Sequence, residues 1–190
     1  MQSLIAGEYY LEGQREMASG FLLKPDKSFH FFFIYGALDR HGSGTWSEKN
    51  GHIILNSASK PADGYRLVRS TKKHQNVIVV KLEGNDPMAQ RHTFVSLDNG
   101  KEGSWKEMNQ QGEAEFPLQE ADTISLLLEF CPEKITTIPV VPEDHNEFTF
   151  RIEPAILEVF FDNFLLDVAA NELSGHHPVL HGGEFRYVKQ

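Results

Sequence analysis

The chain has 190 residues, of which 40% are hydrophobic and 24% are charged, a composition typical of a globular protein that can bury a sizeable core. Its 18 basic and 27 acidic residues give a formal net charge of −9, which disfavours contact with nucleic-acid phosphates. No apolar run reaches the ~20 residues that a spanning helix needs, so we expect no nucleic-acid partner and no membrane span.

Cysteine usage and the N-terminal residues favour a reducing compartment. Cys131 is the only cysteine, so the chain has no internal disulfide and no Cys-based zinc site. It is expected to be a small buried hydrophobic residue. The N-terminal stretch MQSLIAGEYYLEG turns polar at once, unlike a signal peptide. We therefore expect a cytoplasmic protein. The alternative is a signal peptide that was removed before residue 1.

The first third of the chain predicts short strands joined by tight turns. GEYYLEG is a first strand, and ASGFLLKPDKSFHFFFIYG reads as a hairpin with Pro25 in its turn. SGTWSEKNGHIILNS predicts a second hairpin, because Asn50-Gly51 is a strong two-residue turn signal. GYRLVRS then closes this set of strands at about Ser70.

The aromatic run FHFFFIY is the most apolar of these strands. Alternation puts Phe29, Phe31, Phe33 and Tyr35 on one face and His30, Phe32 and Ile34 on the other. Both faces are largely apolar, which predicts a strand covered on two sides. The side chains either fill a core or line a cavity for an apolar ligand, and core packing is the more frequent case.

The middle of the chain, residues 71–153, predicts a separate β-sandwich with longer turns. The next segment, 156–170, supports two structures. Its apolar residues fit a 3.6-residue helical period between Pro154 and Gly175. They also fit a hairpin ILEVFF–DN–FLLDVA that turns at Asp162-Asn163. GGEFRYVKQ predicts a final strand.

These patterns resemble a family of uncharacterised bacterial β-proteins with lipocalin-like character. The match covers about the first third and the last fifth of the chain, and it is carried by Gly7, Tyr35, Gly36, Asp39, Gly44, Trp46, Tyr187 and Val188. The resemblance implies a barrel that takes strands from both ends of the chain, which favours the hairpin at 156–169. The middle, through QGEAEFPL, is similar to the prealbumin-like regulatory sandwich found beside carboxypeptidases.

The Gly-rich stretch YGALDRHGSGTW predicts a loop at the barrel mouth. Gly36, Gly42 and Gly44 would turn the chain at positive φ, and Asp39 would cap a turn. Asp39, Arg40 and His41 would then offer a carboxylate, a cation and an imidazole to a small molecule. Trp46 would cover one end of the barrel.

The stretch SGHHPVLHGG is the metal candidate, because His176, His177 and His181 lie close together in the chain. Pro178 blocks the regular helix that would align the imidazoles, so a solvated loop is the more frequent alternative. His41 would be a further ligand. We find no nucleophile elbow and no phosphate-binding loop in the sequence.

The sequence thus predicts an all-β protein: a discontinuous lipocalin-like barrel or bent sheet from 1–70 and 154–190, with a prealbumin-like sandwich inserted at 71–153. The leading function is a non-enzymatic binding or interaction module without a cofactor, acting on a protein partner, with a homodimer left open. The second is a barrel that binds a small apolar ligand, with a ligand-binding set of Phe31, Phe33, Tyr35, Asp39, Trp46 and Tyr187. The third is a metal-dependent enzyme that uses His176, His177 and His181.

Overall fold

The computed structural model describes residues 5–60, 62–84, 86–140 and 145–190, and these form an all-β protein. The first strands are β1 (Gly7–Leu11), β2 (Met17–Leu23), β3 (Ser28–Tyr35), β4 (Leu38–Lys49) and β5 (His52–Asn56). The middle of the chain forms β6 (Tyr65–Thr71), β7 (Val77–Leu82), helix α1 (Pro87–Arg91), β8 (Thr93–Ser96), β9 (Lys106–Glu107), β10 (Glu113–Pro117), β11 (Thr123–Leu128), β12 (Ile135–Pro139) and β13 (Glu147–Ile152). A 3₁₀ helix (Pro154–Leu157) leads to β14 (Phe164–Ala169), β15 (Glu172–Gly175) and β16 (Phe185–Lys189).

Eight strands close into an antiparallel barrel. Their order around the barrel is β1-β16-β15-β14-β5-β4-β3-β2. Leaving the middle of the chain aside, each strand therefore pairs with its neighbours in sequence, as in an up-and-down barrel. Closure leaves no unpaired sheet edge between β1 and β16, since Tyr10 pairs with Val188. This confirms the discontinuous barrel built from both ends of the chain.

The second unit is inserted between the fifth and sixth barrel strands. The chain divides into a barrel unit, Met1–Pro61 with Leu157–Gln190, and an inserted unit, Ala62–Ile156. The predicted junctions at 70/71 and 153/154 differ from this division. Strand β6 does not close the barrel set, because it pairs with β13 in the inserted unit. Since Tyr65 pairs with Ile152, the chain enters and leaves the insert side by side, the arrangement that domain insertion tolerates.

The inserted unit contains two four-stranded sheets, ordered β10-β7-β13-β6 and β12-β11-β8-β9. Tyr65 on β6 connects them. Its hydroxyl lies 2.9 Å from Oγ1 of Thr93 on β8, and its amide donates to Oγ1 of Thr136 on β12. The Thr93 hydroxyl itself donates to the Ala89 carbonyl, so it accepts from Tyr65. These bonds join the two sheets and satisfy a buried polar group. Cys131 is buried in this unit, as predicted.

Local turn chemistry explains the barrel hairpins. Asn50 and Gly51 have φ angles of 54° and 81°, the left-handed pair that a type I′ turn requires between β4 and β5. Asp26 accepts from the amide and hydroxyl of Ser28, which fixes the turn that Pro25 begins between β2 and β3. Both predicted hairpins are confirmed.

The segment 156–170 is neither of the two predicted structures. Its second half is strand β14, which excludes the continuous helix. The hairpin that β14 forms is with β15, where Val168 pairs with Leu173. The first half is a short 3₁₀ turn followed by extended chain, because these residues make their hydrogen bonds to β4 and Ser57 rather than to β14.

In the part of the chain that the structure describes, no helix is long and apolar enough to cross a membrane.

Candidate functional site

The aromatic strand β3 buries only one of its faces. Phe29, Phe31 and Phe33 are buried, while His30 and Ile34 on the opposite face are exposed. The prediction of two covered faces is therefore wrong, because a barrel strand turns one face inward and the other outward. Tyr35 continues the inward row, yet it is 49% exposed because β3 ends at this residue.

Most of the predicted ligand-binding rings pack against other rings of the protein. The ring centroid of Phe31 lies 5.1 Å from that of Phe21 and 5.4 Å from that of Phe161. Phe21 in turn lies 4.9 Å from Tyr187 in an edge-to-face contact. Such edge contacts are the favoured geometry of aromatic pairs. Phe31 and Tyr187 thus belong to one continuous cluster inside the barrel.

Phe161 enters this cluster from the segment that returns from the insert. The amide of Val159 donates to the His41 carbonyl at 2.7 Å, and the amide of Ser57 donates to the Phe161 carbonyl at 2.8 Å. These bonds hold the returning segment beside the first half of β4. A Cβ on Gly42 would lie only 2.5 Å from Cε2 of Phe161. Because Gly42 has no side chain, the Phe161 ring can occupy this space.

The stretch predicted as a Gly-rich loop is mostly the long strand β4. Only Gly36 has a positive φ, of 58°, whereas Gly42 and Gly44 lie inside the strand. Their role is close approach, because a Cβ on Gly44 would overlap the carbonyl oxygen of Asn56. The positive-φ prediction for Gly42 and Gly44 is therefore wrong.

The predicted convergence of Asp39, Arg40 and His41 is also wrong. Alternation along β4 buries Arg40 completely and leaves Asp39 and His41 exposed. Arg40 pairs with Phe33 of β3, and Phe33 pairs with Ser19 of β2, so these three residues form one layer across three strands. The sequence gives no signal that Arg40 faces inward, because the glycines around it favour a loop. Ser19 carries no signal of its own beyond its place in a predicted strand.

Trp46 is fixed against the turn between β2 and β3. Its indole Nε1 donates to the Lys24 carbonyl at 2.9 Å. The Lys27 ammonium lies 3.6 Å from the centre of the ring, a cation–π contact. Trp46 is buried and so belongs to the core rather than to an open pocket.

His177 is the polar centre of the barrel interior. It is 5% exposed, and its ring lies 5.4 Å from Phe33 and 5.3 Å from Phe185. It also stacks on Tyr187 at 6.2 Å with an angle of 23° between the planes. A third edge contact joins it to Phe31 at 5.9 Å. Four aromatic side chains therefore surround one imidazole.

The hydrogen bonds of His177 define its tautomer. Nδ1 accepts from the backbone amides of Val179 and Leu180, both at 3.0 Å. The proton of the neutral ring is therefore on Nε2, which donates to the Ser19 hydroxyl at 3.1 Å. The Ser19 hydroxyl donates its own hydrogen bond to the Phe32 carbonyl at 2.9 Å. Every polar atom of the ring is satisfied when His177 is neutral.

Burial sets the protonation of this group. Burial lowers the pKa of the His177 imidazole from 6.5 to about 4, since the charged form cannot be solvated there. Burial also raises the pKa of the Tyr187 hydroxyl. At neutral pH the interior therefore contains neutral His177 and neutral Tyr187.

The predicted three-histidine cluster is not assembled. His176 and His181 are exposed, whereas His177 points into the barrel and its Nδ1 is already used by two amides. His41, the further expected ligand, is an exposed residue of β4. Across the described ranges, no group of three or more His, Cys, Asp or Glu is placed to hold a metal ion.

Two surface cavities are bounded by described residues. One, of about 230 Å³, lies in the barrel unit between β4, residues 57–59 and Glu158. The other, of about 440 Å³, lies in the inserted unit beside Asp98, Glu120 and Asp122. Neither is lined by any residue of the predicted ligand-binding set.

Comparison with known proteins assigns no function to this chain: no family model, no curated protein and no solved structure matches it.

Proposed function

We propose that the protein is a non-enzymatic interaction module that binds a protein partner through the outside of strands β1–β3. The observation that carries the proposal is an apolar outer face, defined by Tyr10, Ala18, Gly20, Leu22, Phe32 and Ile34. A barrel normally turns polar side chains to solvent, so an apolar outer face is informative.

The outer face is continuous because its residues are in register. Tyr10 pairs with Gly20, and Gly20 pairs with Phe32, so the Phe32 ring lies over the glycine. The Tyr10 and Phe32 rings meet edge to face at 5.8 Å. Ile34 extends the face at the next register position, and both Tyr10 and Ile34 are 41% exposed. The face therefore offers rigid aromatic and aliphatic groups, which suit an interface core.

Charge favours a basic partner over a second copy of this chain. Exposed Glu8 and Asp39 stand in register beside Leu22 and Ile34, at opposite sides of the outer face. Lys24, which contacts His30 at 2.9 Å, supplies a cation near Leu22. With a net charge of −9, two copies of the chain repel each other. The partner that fits has an apolar contact surface and a positive net charge.

The packing of the interior favours protein binding over the other two functions, which are the binding of a small apolar ligand and metal-dependent catalysis. Rings expected to line a cavity for a small apolar ligand contact each other, and the histidines expected to bind metal are dispersed. The lipocalin-like family resemblance remains part of the proposal, and it fits an eight-stranded closed barrel.

The test compares two synthetic peptides with the same Leu-Phe-Leu centre, one flanked by lysines and the other by glutamates. We expect the lysine-flanked peptide to bind the protein more tightly and to shift the NMR signals of Phe32 and Ile34. Ile34→Glu should weaken this binding by at least about tenfold, since it places a buried charge in the interface.

Leu165→Glu is the matched control. Leu165 is 53% exposed on the outside of β14 in the same barrel, so the charge change is equal but lies off the outer face. Equal losses in both variants, or equal binding of both peptides, would contradict the proposal. Sedimentation that detects a dimer broken by Ile34→Glu would instead assign the outer face to self-association.

A further inference from the structure

His177 reaches the barrel interior from an irregular segment that we call the strap, residues 176–184, between β15 and β16. Val179 and Leu180 of the strap are partly buried against the core. The hydrogen bond from His177 to Ser19 joins the strap to barrel strand β2. The other two bonds of the ring stay within the strap, to the amides of Val179 and Leu180. His177 therefore links the strap to β2, and Val179 and Leu180 add apolar contact with the core.

The space around that ring has the features of a ligand site. Aromatic side chains of β3 and β16 contact the ring, and the Ser19 hydroxyl accepts a hydrogen bond from its Nε2. Apolar walls with one well-placed polar group are typical of sites for small ring compounds. Unlike the rest of the interior, this space is filled by a residue outside the barrel strands, so it can be emptied without unpairing any strand.

We propose that this end of the barrel is a binding site for a flat heteroaromatic ring with a ring N–H, and that His177 occupies it as an internal substitute ligand. A ligand of this class stacks on Tyr187, donates to Ser19 and displaces the strap. His177 is buried at this position, and burial disfavours a charged ring, so the site selects a neutral ring over a cationic one. This site is independent of the outer face proposed for a protein partner.

The first experiment is rescue of His177→Gly by free imidazole at pH 8, where imidazole is neutral. The variant should lose thermal stability, and saturating imidazole should return about 5 °C or more in Tm. His176→Gly is the control, because His176 is exposed and its removal leaves no such space. If His177→Gly does not fold, His177→Asn replaces it, since the amide oxygen can still accept from Val179 and Leu180.

The ligand class is tested with cyclopentanol, which matches imidazole in size but has no aromatic ring. Rescue at concentrations at least tenfold lower for imidazole supports a heteroaromatic site. Equal rescue by both compounds overturns that assignment, as does imidazole rescue no greater than in His176→Gly.

The second experiment asks whether an external ring displaces His177 in the unaltered protein. Benzimidazole added to the wild-type chain should shift the amide NMR signals of Val179 and Leu180, because their bonds to Nδ1 break. Val68, on strand β6 of the inserted unit, should not respond. If these amides stay unchanged at a benzimidazole concentration that saturates His177→Gly, or its replacement His177→Asn, the strap is fixed and the proposal fails.

Discussion

At the scale of single residues, His177 makes the stability of the barrel depend on pH. Its pKa is about 4 in the folded protein and 6.5 for the exposed group, so the unfolded chain binds the proton more readily between these values. The contribution of His177 to stability is complete above pH 6.5 and is lost as pH falls toward 4. We expect a loss on the order of 3 kcal/mol between pH 7 and pH 4. Thermal unfolding across this range, followed by Trp46 fluorescence in a Trp105→Phe background, measures it.

Carboxylates titrate in part of the same range, so the pH effect needs a non-titrating reference. His177→Asn keeps an acceptor for the Val179 and Leu180 amides but carries no proton in this window. The difference between the two stability curves isolates the imidazole. Parallel curves for the wild type and His177→Asn would mean that His177 is not held neutral by the fold.

At the scale of elements, one carboxylate fixes the sheet β10-β7-β13-β6. Glu147, at the start of β13, lies 3.1 Å from Lys73 Nζ and His74 Nε2 and 3.2 Å from Lys81 Nζ. Lys81 also pairs with Glu113 of β10 at 2.8 Å. Burial alone would raise the pKa of Glu147, but hydrogen bonds from His74, Lys73 and Lys81 outweigh it and lower the pKa to about 2. The carboxylate therefore supports folding above pH 4.5, and this support is lost as pH falls toward 2.

Glu147→Gln should destabilise the inserted unit by about 2 kcal/mol, because a neutral amide at this buried position loses the charge-assisted hydrogen bonds from Lys73, His74 and Lys81. Urea unfolding followed by the amide NMR signals of β7 reports this unit. Glu115→Gln is the control, since Glu115 is an exposed residue of the neighbouring strand β10. Equal unfolding midpoints for the two variants would contradict the assigned role of Glu147.

An element could be predicted from the sequence where residues within the element itself determine its conformation. Turn residues such as Asn50-Gly51 act on their own neighbours, so both early hairpins followed from the sequence. The segment before β14 has no such signal. Phe160, Phe161 and Phe164 fit a helical period, yet none of them lies in a helix. The chain has no regular secondary structure at Phe160 and Phe161, and strand β14 begins at Phe164.

The candidate site was only partly predictable for a related reason. Strand alternation correctly placed Phe31 and Phe33 on one face. The inward direction of His177 depends on the strap, which has no period, and on contacts with Ser19, far away in sequence. Adjacent histidines suggested a metal site, whereas the fold separates them by burying one and exposing its neighbours.

At the scale of the whole molecule, the strand order predicts that the barrel can fold without the insert. All eight barrel strands pair with sequence neighbours once Ala62–Ile156 is replaced by a short flexible linker. We expect the shortened chain to keep its β-type circular dichroism and the blue-shifted emission of buried Trp46. Trp105 is removed with the insert, and since the chain has only two tryptophans, the remaining signal comes from the barrel alone. Emission typical of a solvent-exposed indole would contradict the prediction.

The position of the insert also sets an order of events during synthesis. Strands β1–β5 leave the ribosome first, but the wall beside β4 is completed only by the segment that carries Phe161. The whole inserted unit must be translated in between, which takes on the order of ten seconds at cellular elongation rates. During that time the inward rings of β2 and β3 have no cover from β14 to β16. We therefore expect the nascent half-barrel to be the stage at which exposed apolar side chains make this protein most prone to aggregation.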